Sequence, residues 1–398
     1  MLRIAVAATL MLLVSGAHAA DTSPITTPEA LASYLRGTPI ERSPLGALSP
    51  GARKRFLAIL EFGDRGVRGI DVGDLDQELT HDQAVAVLAL FGAQAYGDGL
   101  GLSPASYARR QAERRADAKR RGCVVTRCPE SVVERRYDAL VLADRPAPDA
   151  ARHAAIAADY ARLFDSELKP VALKGASAPD LRLLARAARV ALEADPDGRA
   201  ADDLTRVLDV MQSRGMVGDA EFRPLYRARV TTRQFDAARA LAQTHPGMKM
   251  PALPKLEGET STTGQPTVLR VSKDGRRMHR EAIALDVPLR IVVVAACHFS
   301  EDAARAIAAD PRLDALFHQH AVWLAAEGTP PADAAAWNRA FPTQPIDVAW
   351  RDREWSMLDS WAMPTYYVFR HGREVARWRG WLGLDALRAE LTKAGVPY

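Results

Sequence analysis

Residues 291–296 read IVVVAA, six apolar side chains without a break, and the first four are β-branched. A strand with one wet face alternates apolar and polar residues. An unbroken run belongs to a strand covered on both faces. The run is too short for an ordinary helix, and its β-branching favours the extended form. It leads straight into Cys297, after which HFSEDAARAIAA takes on helical spacing. The chain around it must therefore build a sheet with apolar cover on either side.

The flanking sequence supplies one. PTVLRVSKDGRRMHREAIAL reads as two short strands around Asp274-Gly275, a dipeptide suited to a tight hairpin. After a helix from about residue 299 to 309 come a strand in HAVWLAAE and a helix opened by Pro331 in PADAAAWNRAF. A short strand follows in IDVAW. PTYYVFRHGREVARWRG is a strand, a turn at His371-Gly372 and a second strand, and GLDALRAELTKAG is an amphipathic closing helix. This predicts an α/β domain over residues 265–398, a mixed sheet flanked by helices.

Upstream the period changes. All seven tryptophans lie after residue 320, and residues 20–243 are rich in Ala, Leu and Arg. Apolar positions there recur at helical spacing, as in SPGARKRFLAIL, with Ser49 as N-cap and Pro50 at the first helical position, and in THDQAVAVLALFG, with Thr80 as cap. An all-α region is predicted over 20–243. Its last two segments resemble a helical hairpin of the tetratricopeptide kind, without a clean repeat period. The Pro, Gly, Ser and Thr content of 244–264 marks a linker.

Residues 1–19 have the form of a signal peptide: Arg3, the apolar run IAVAATLMLLVSG, and the small residues AHA. No later run reaches membrane length. An exported, periplasmic protein is expected, in an oxidising compartment. Of the three cysteines, Cys123 and Cys128 are close enough in sequence to pair, which leaves Cys297 as the odd thiol. The arginine-dense flank of that pair leaves two readings: a reactive redox pair able to resolve a mixed disulfide, or a structural staple beside a salt-bridged basic helix. The net charge of +4 is too small to argue for nucleic acid.

The order of elements, with a cysteine at the first strand-to-helix turn, resembles the thioredoxin superfamily. The leading hairpin is similar to the periplasmic TlpA-type thiol-disulfide oxidoreductases. VVVAACHFS carries the C-x-x-C position, and WAMPTYYVFRHGREVARWRGW carries the strand after the family's cis-proline. The resemblance implies that Met363, Pro364 and Thr365 form a substrate-binding edge facing Cys297. It also departs from the family. Ser300 replaces the resolving cysteine, Ala296 stands where thioredoxins carry tryptophan, and His298-Phe299 replace Gly-Pro.

A thiolate is the nucleophile in disulfide exchange, and a helix N-terminus stabilises it. Cys297 is therefore the candidate nucleophile, with protonated His298 favouring its charged form and Ser300 hydrogen-bonding it. Such a C-x-x-S site suits isomerisation or monothiol exchange, on exported polypeptides or a small thiol. The competing reading is a non-catalytic binding or scaffold protein with a degenerate thioredoxin fold and a partner on its helical region. Neither reading calls for a cofactor. Two cysteines without further ligands do not suggest zinc, and His318 and His320 lack the cysteine spacing of a copper site.

Overall fold

The computed structural model describes residues 23–64, 66–145, 149–259 and 264–397. Residues 1–19, expected above to be a signal peptide, lie outside them. No helix among the described residues is long and apolar enough to cross a membrane. The chain divides into two compact units, residues 1–145 with 176–183, and residues 146–175 with 184–398.

The first unit is mostly helical, and its helix starts are those expected from the sequence. Ser49 Oγ accepts from Ala52 N ahead of the helix Pro50–Ala58. Thr80 and Gln83 form a reciprocal capping box at the start of His81–Ala89. These helices bury Leu45, Phe56, Leu75, Val87 and Leu88, with Phe56 edge-on to Phe91 at 5.7 Å. Into the same unit the Pro50–Ala58 helix sinks Arg55, which grips Asp74 through Nε (2.9 Å) and Nη2 (3.1 Å) and Asp138 through Nη1 (2.9 Å). Burial opposes the Arg55 charge, but the bonds and charges of Asp74 and Asp138 outweigh it and raise its pKa. The all-α expectation needs one correction here. Two short antiparallel strands, β1 (Glu61–Gly63) and β2 (Gly66–Gly69), form a ribbon around glycines that strand propensity disfavours.

The basic helix Pro104–Arg121 ends at Gly122, whose φ of +67° lets Cys123 N close back on Ala118 O at 2.9 Å. Cys123 is disulfide-bonded to Cys128. Three arginines of the helix are paired to carboxylates within the same unit, Arg120 and Arg121 to Asp117 and Arg114 to Glu78, and the helix's own Glu113 is paired to Arg182.

The second unit holds an eight-stranded mixed sheet. Its strands are β3 (Lys255–Glu259), β4 (Thr267–Val271), β5 (Arg277–Ala282), β6 (Arg290–Val294), β7 (Ala321–Ala325), β8 (Ile346–Ala349), β9 (Thr365–Arg370) and β10 (Arg373–Arg379). They lie in the order β10-β9-β6-β7-β8-β4-β5-β3. β6, β7 and β8 are parallel neighbours, and β9 is antiparallel to β6 and β10 to β9. Gly275 (φ +69°) turns the first hairpin, and His371 and Gly372 (φ +46° and +75°) turn the last.

The apolar run Ile291–Val294 of β6 is covered on both faces, as its composition requires. Val292 and Val294 join Tyr367, Phe369, Leu324, Trp355 and Leu358 in one layer. The opposite layer carries the cross-strand row Trp323–Val293–Tyr366–Trp378. Trp323 meets Phe317 of the helix Pro311–His320 and Trp337 of the helix Pro331–Ala340. Trp337 meets Phe341, over which sits Arg305 of the helix His298–Ala309. The closing helix Leu384–Lys393 packs on His298–Ala309, with Arg388 paired to Asp310.

Two details differ from expectation. The helix Pro311–His320 is additional; Asp310 caps it by accepting from Arg312 N and Leu313 N. Within the segment read as a linker, β3 pairs in parallel with β5 through backbone groups. The compositional break at residue 243 is also no break in packing. Arg233, after the helix Arg223–Thr231, donates to Trp350 O (3.0 Å) and Ala349 O (2.5 Å) at the end of β8. Arg351 answers with a 2.9 Å bond to Thr232 O.

Candidate functional site

The strand β6 ends at Val294, two residues bridge the gap, and Cys297 becomes the N-cap of the helix His298–Ala309 in extended geometry (φ −105°, ψ 167°). Its carbonyl takes the first helical bonds, from Ser300 N at 2.9 Å and Glu301 N at 3.0 Å. The N–H groups of His298 and Phe299, the first two helical residues, have no intrahelical acceptor and point along the helix axis toward the cap. The residue before it, Ala296, has φ +150°, well outside the region common to L-residues.

The sulfur is half-buried. Ser300 Oγ lies 3.3 Å from Sγ, and either group can donate. Sγ also lies 3.6 Å from Met363 O, to which the thiol proton is donated. The Met363-Pro364 peptide is cis. Pro364 O accepts from Gly380 N at 2.8 Å, which places the segment after β10 beside the proline. Thr365 is buried and its hydroxyl donates to Ala362 O at 2.5 Å, so it braces the loop. The structure thus brings Cys297, Ser300 and Met363 together, with Pro364 next in the chain after Met363.

His298 departs from the expectation. It is exposed, and its ring lies 3.8 Å from that of Phe299. A solvated ring finds more contact on a neighbouring aromatic than on a sulfur already engaged by Ser300 and Met363. Two apolar side chains beside the sulfur are open to solvent: Phe299 is 52% exposed and Met363 44%. Cys123 and Cys128 are bonded to each other and belong to the first unit, whereas Cys297 belongs to the second. No cluster of three or more His, Cys, Asp or Glu side chains suited to a metal ion exists among the described residues.

Tyr366 and Tyr367, both buried, differ in their hydrogen bonding. Tyr367 donates to Asp359 Oδ1 at 2.8 Å and accepts from Ser360 N at 3.1 Å. Burial and the Asp359 bond push the Tyr367 hydroxyl up to about 12. In return that bond, with Arg377 and Arg379, holds Asp359 below the usual carboxylate range. Tyr366 is fully buried with no partner for its hydroxyl. Burial raises its pKa, and the negative charge of the Cys297 thiolate raises it further. The only signal in the sequence was the alternation of two tyrosines just after the proline. No family model, curated protein or solved structure matches the chain.

Proposed function

We propose that the C-terminal part of the chain, residues 265–398, is a thioredoxin-like domain, and that the protein performs thiol–disulfide exchange through Cys297 as a monothiol. The observation that carries this reading is the place of Sγ. Cys297 is the N-cap residue of a helix, and its half-exposed sulfur, which makes no capping hydrogen bond of its own, lies between Ser300 Oγ and the Met363 carbonyl that precedes Pro364. The fold reading is supported by a β-α-β unit followed by β-β-α, with strands in the order β7-β6-β9-β10.

In the exchange, Cys297 loses its proton to solvent. Its thiolate attacks one sulfur of R–S–S–R′, the S–S bond breaks, and R′–S⁻ leaves to be protonated by water. The product is the mixed disulfide Cys297–S–S–R. Ser300 has no sulfur with which to resolve it, so a second thiol of the same substrate or a free thiol must do so. That is isomerase-type or monothiol chemistry rather than dithiol reduction. The open apolar side chains of Phe299 and Met363 favour exported polypeptides over a small thiol as substrate. The Cys123–Cys128 disulfide and the leader-like residues 1–19 support an oxidising, periplasmic setting.

The test is incubation of the folded protein with a disulfide-bonded peptide, read by intact mass. The wild type should acquire half of the peptide and hold it until a thiol is added, and Cys297→Ala should acquire nothing. A folded wild type that takes up no peptide removes the exchange reading and leaves a binding module.

A further inference from the structure

The sheet has a free edge at β10, the first strand in its order, paired on one side to β9 and, among the described residues, to nothing on the other. β9 is buried along nearly all its length, whereas Arg373, Glu374, Val375, Arg377 and Arg379 of β10 are exposed. The ladder fixes which backbone groups look outward. Gly380 N donates to Pro364 O at 2.8 Å, one step beyond the pair Arg379–Thr365. Opposed residues in an antiparallel pair alternate between bonded and non-bonded. Counting back from Gly380, Trp378 and Ala376 turn their N–H and C=O groups to β9. Arg377 and Arg379 turn theirs away from it, and no group among the described residues bonds them.

An open edge is a template for another strand, and proteins commonly blunt it with a bulge or with charge. The bulge between Glu374 and Ala376 blunts the first half of β10. The second half, from Ala376 to Arg379, is regular. Side chains alternate along it, so Arg377 and Arg379 stand on one face, opposite Tyr367 and Thr365 in register. Arg377 is paired with Asp359 and Glu374. Arg379 makes no ion pair among the described residues, and neither does Arg373. Three arginines against one glutamate leave the strand positive. Two copies of β10 joined antiparallel through the outward groups would set arginine opposite arginine, which is destabilising. The edge therefore suits a strand of the opposite charge.

We propose that the Ala376–Arg379 half of β10 is a docking edge for an extended acidic segment of another polypeptide, which joins the sheet as its outermost strand with carboxylates at alternate positions. The outward N–H and C=O groups of Arg377 and Arg379 supply the ladder, and the guanidinium of Arg379 selects the sign of the charge. Gly380 ties this end of β10 to Pro364, so one end of the docked segment lies beside the Met363-Pro364 loop. The docking makes no use of the Cys297 thiol and stands apart from the exchange chemistry.

The experiment is titration of the full-length protein with a short synthetic peptide of alternating glutamate and valine, free of cysteine, read by calorimetry and by amide hydrogen exchange. The peptide should bind saturably. The amides of Arg377 and Arg379 should gain protection, while those of Ala376 and Trp378, already bonded to β9, change little. The same peptide N-methylated on its glutamates keeps its charge but cannot complete the ladder, and should bind about tenfold more weakly. A lysine–valine peptide should not bind. Arg379→Glu should weaken the acidic peptide by about tenfold and give the lysine–valine peptide a measurable affinity, with Arg379→Gln between the two. Tryptophan emission in urea checks that both variants are folded. Absence of binding, binding indifferent to N-methylation or to the sign of the peptide, or protection that falls elsewhere overturns the proposal. So does a dimer of the protein, seen in sedimentation, that itself protects the amides of Arg377 and Arg379.

Discussion

Replacing Arg55 by methionine tests how the first unit is held together. The side chain is 4% exposed, and its partners Asp74 and Asp138 are 5% and 6% exposed. Arg55→Met keeps most of the volume but removes three charge-assisted hydrogen bonds and the guanidinium face over the Tyr137 ring. Breaking a buried pair by deleting one partner costs about 3–5 kcal/mol, because the remaining charge is stranded. Here Lys54 still reaches Asp138 at 2.9 Å, so the lower end of that range, about 3 kcal/mol, is expected near neutral pH.

The loss carries a pH signature. Burial already raises the Glu134 carboxyl, and Arg55 is the main charge holding it down. Without Arg55 the folded-state pKa of Glu134, already raised by burial, rises further above its unfolded value. Between those values the folded chain then binds more protons than the unfolded one, so the stability of the variant falls as pH rises. The penalty should be largest at about pH 8 and shrink toward about pH 5. Urea unfolding followed by far-ultraviolet circular dichroism reads it. Tryptophan emission, which reports only the second unit because every tryptophan lies there, separates a local from a general loss. A loss under about 1 kcal/mol, the worth of an exposed ion pair, refutes the reasoning, as does a penalty that grows toward acid pH.

Three further outcomes are expected. Ser300→Cys puts a second sulfur where Oγ now lies 3.3 Å from Sγ, so mixed disulfides at Cys297 should be resolved internally and cease to accumulate on non-reducing gels. Arg233→Met orphans the carbonyls of Ala349 and Trp350 and uncovers a Trp350 ring face; burial pushes that guanidinium down to about 10, so it is charged at neutral pH. The second unit should lose about 2–3 kcal/mol, read by tryptophan emission in urea, and Arg233→Lys should not restore it because lysine lacks the planar fork. Thr80→Ala dismantles the capping box with Gln83 and should lower the stability of the first unit by about 1 kcal/mol by circular dichroism.

Much of the second unit was legible because its signals are local. Asp274-Gly275 and His371-Gly372 specify tight turns, Pro331 opens a helix, and IVVVAA admits only a doubly covered strand. Cys297 at a helix N-terminus followed from that strand and the helical spacing beyond it. What escaped depends on contacts distant in sequence. β3 is the polar run KLEGE, with no apolar alternation, and it is a strand because β5 offers backbone partners such as Arg276 O to Lys255 N at 2.8 Å. Asp310-Pro311 announced a second helix start, but that helix runs directly into β7 and was absorbed into the strand reading. Within the second unit, the tie between the helix Arg223–Thr231 and the end of β8 is carried by Arg233 and Arg351, two arginines among many. At the site, alternation separates the faces of Tyr366 and Tyr367, yet no pattern in a sequence tells which hydroxyl finds a partner.

The central claim is that folding activates Cys297 rather than shelters it. The most direct measurement is the rate of its reaction with oxidised glutathione in the native protein and in the urea-unfolded chain, at one pH and one denaturant-corrected scale. A thiolate stabilised by a helix N-terminus and a Ser300 hydroxyl reacts faster in the folded chain, and that is the expected result. A slower reaction on folding means a half-buried, inert thiol and contradicts the account.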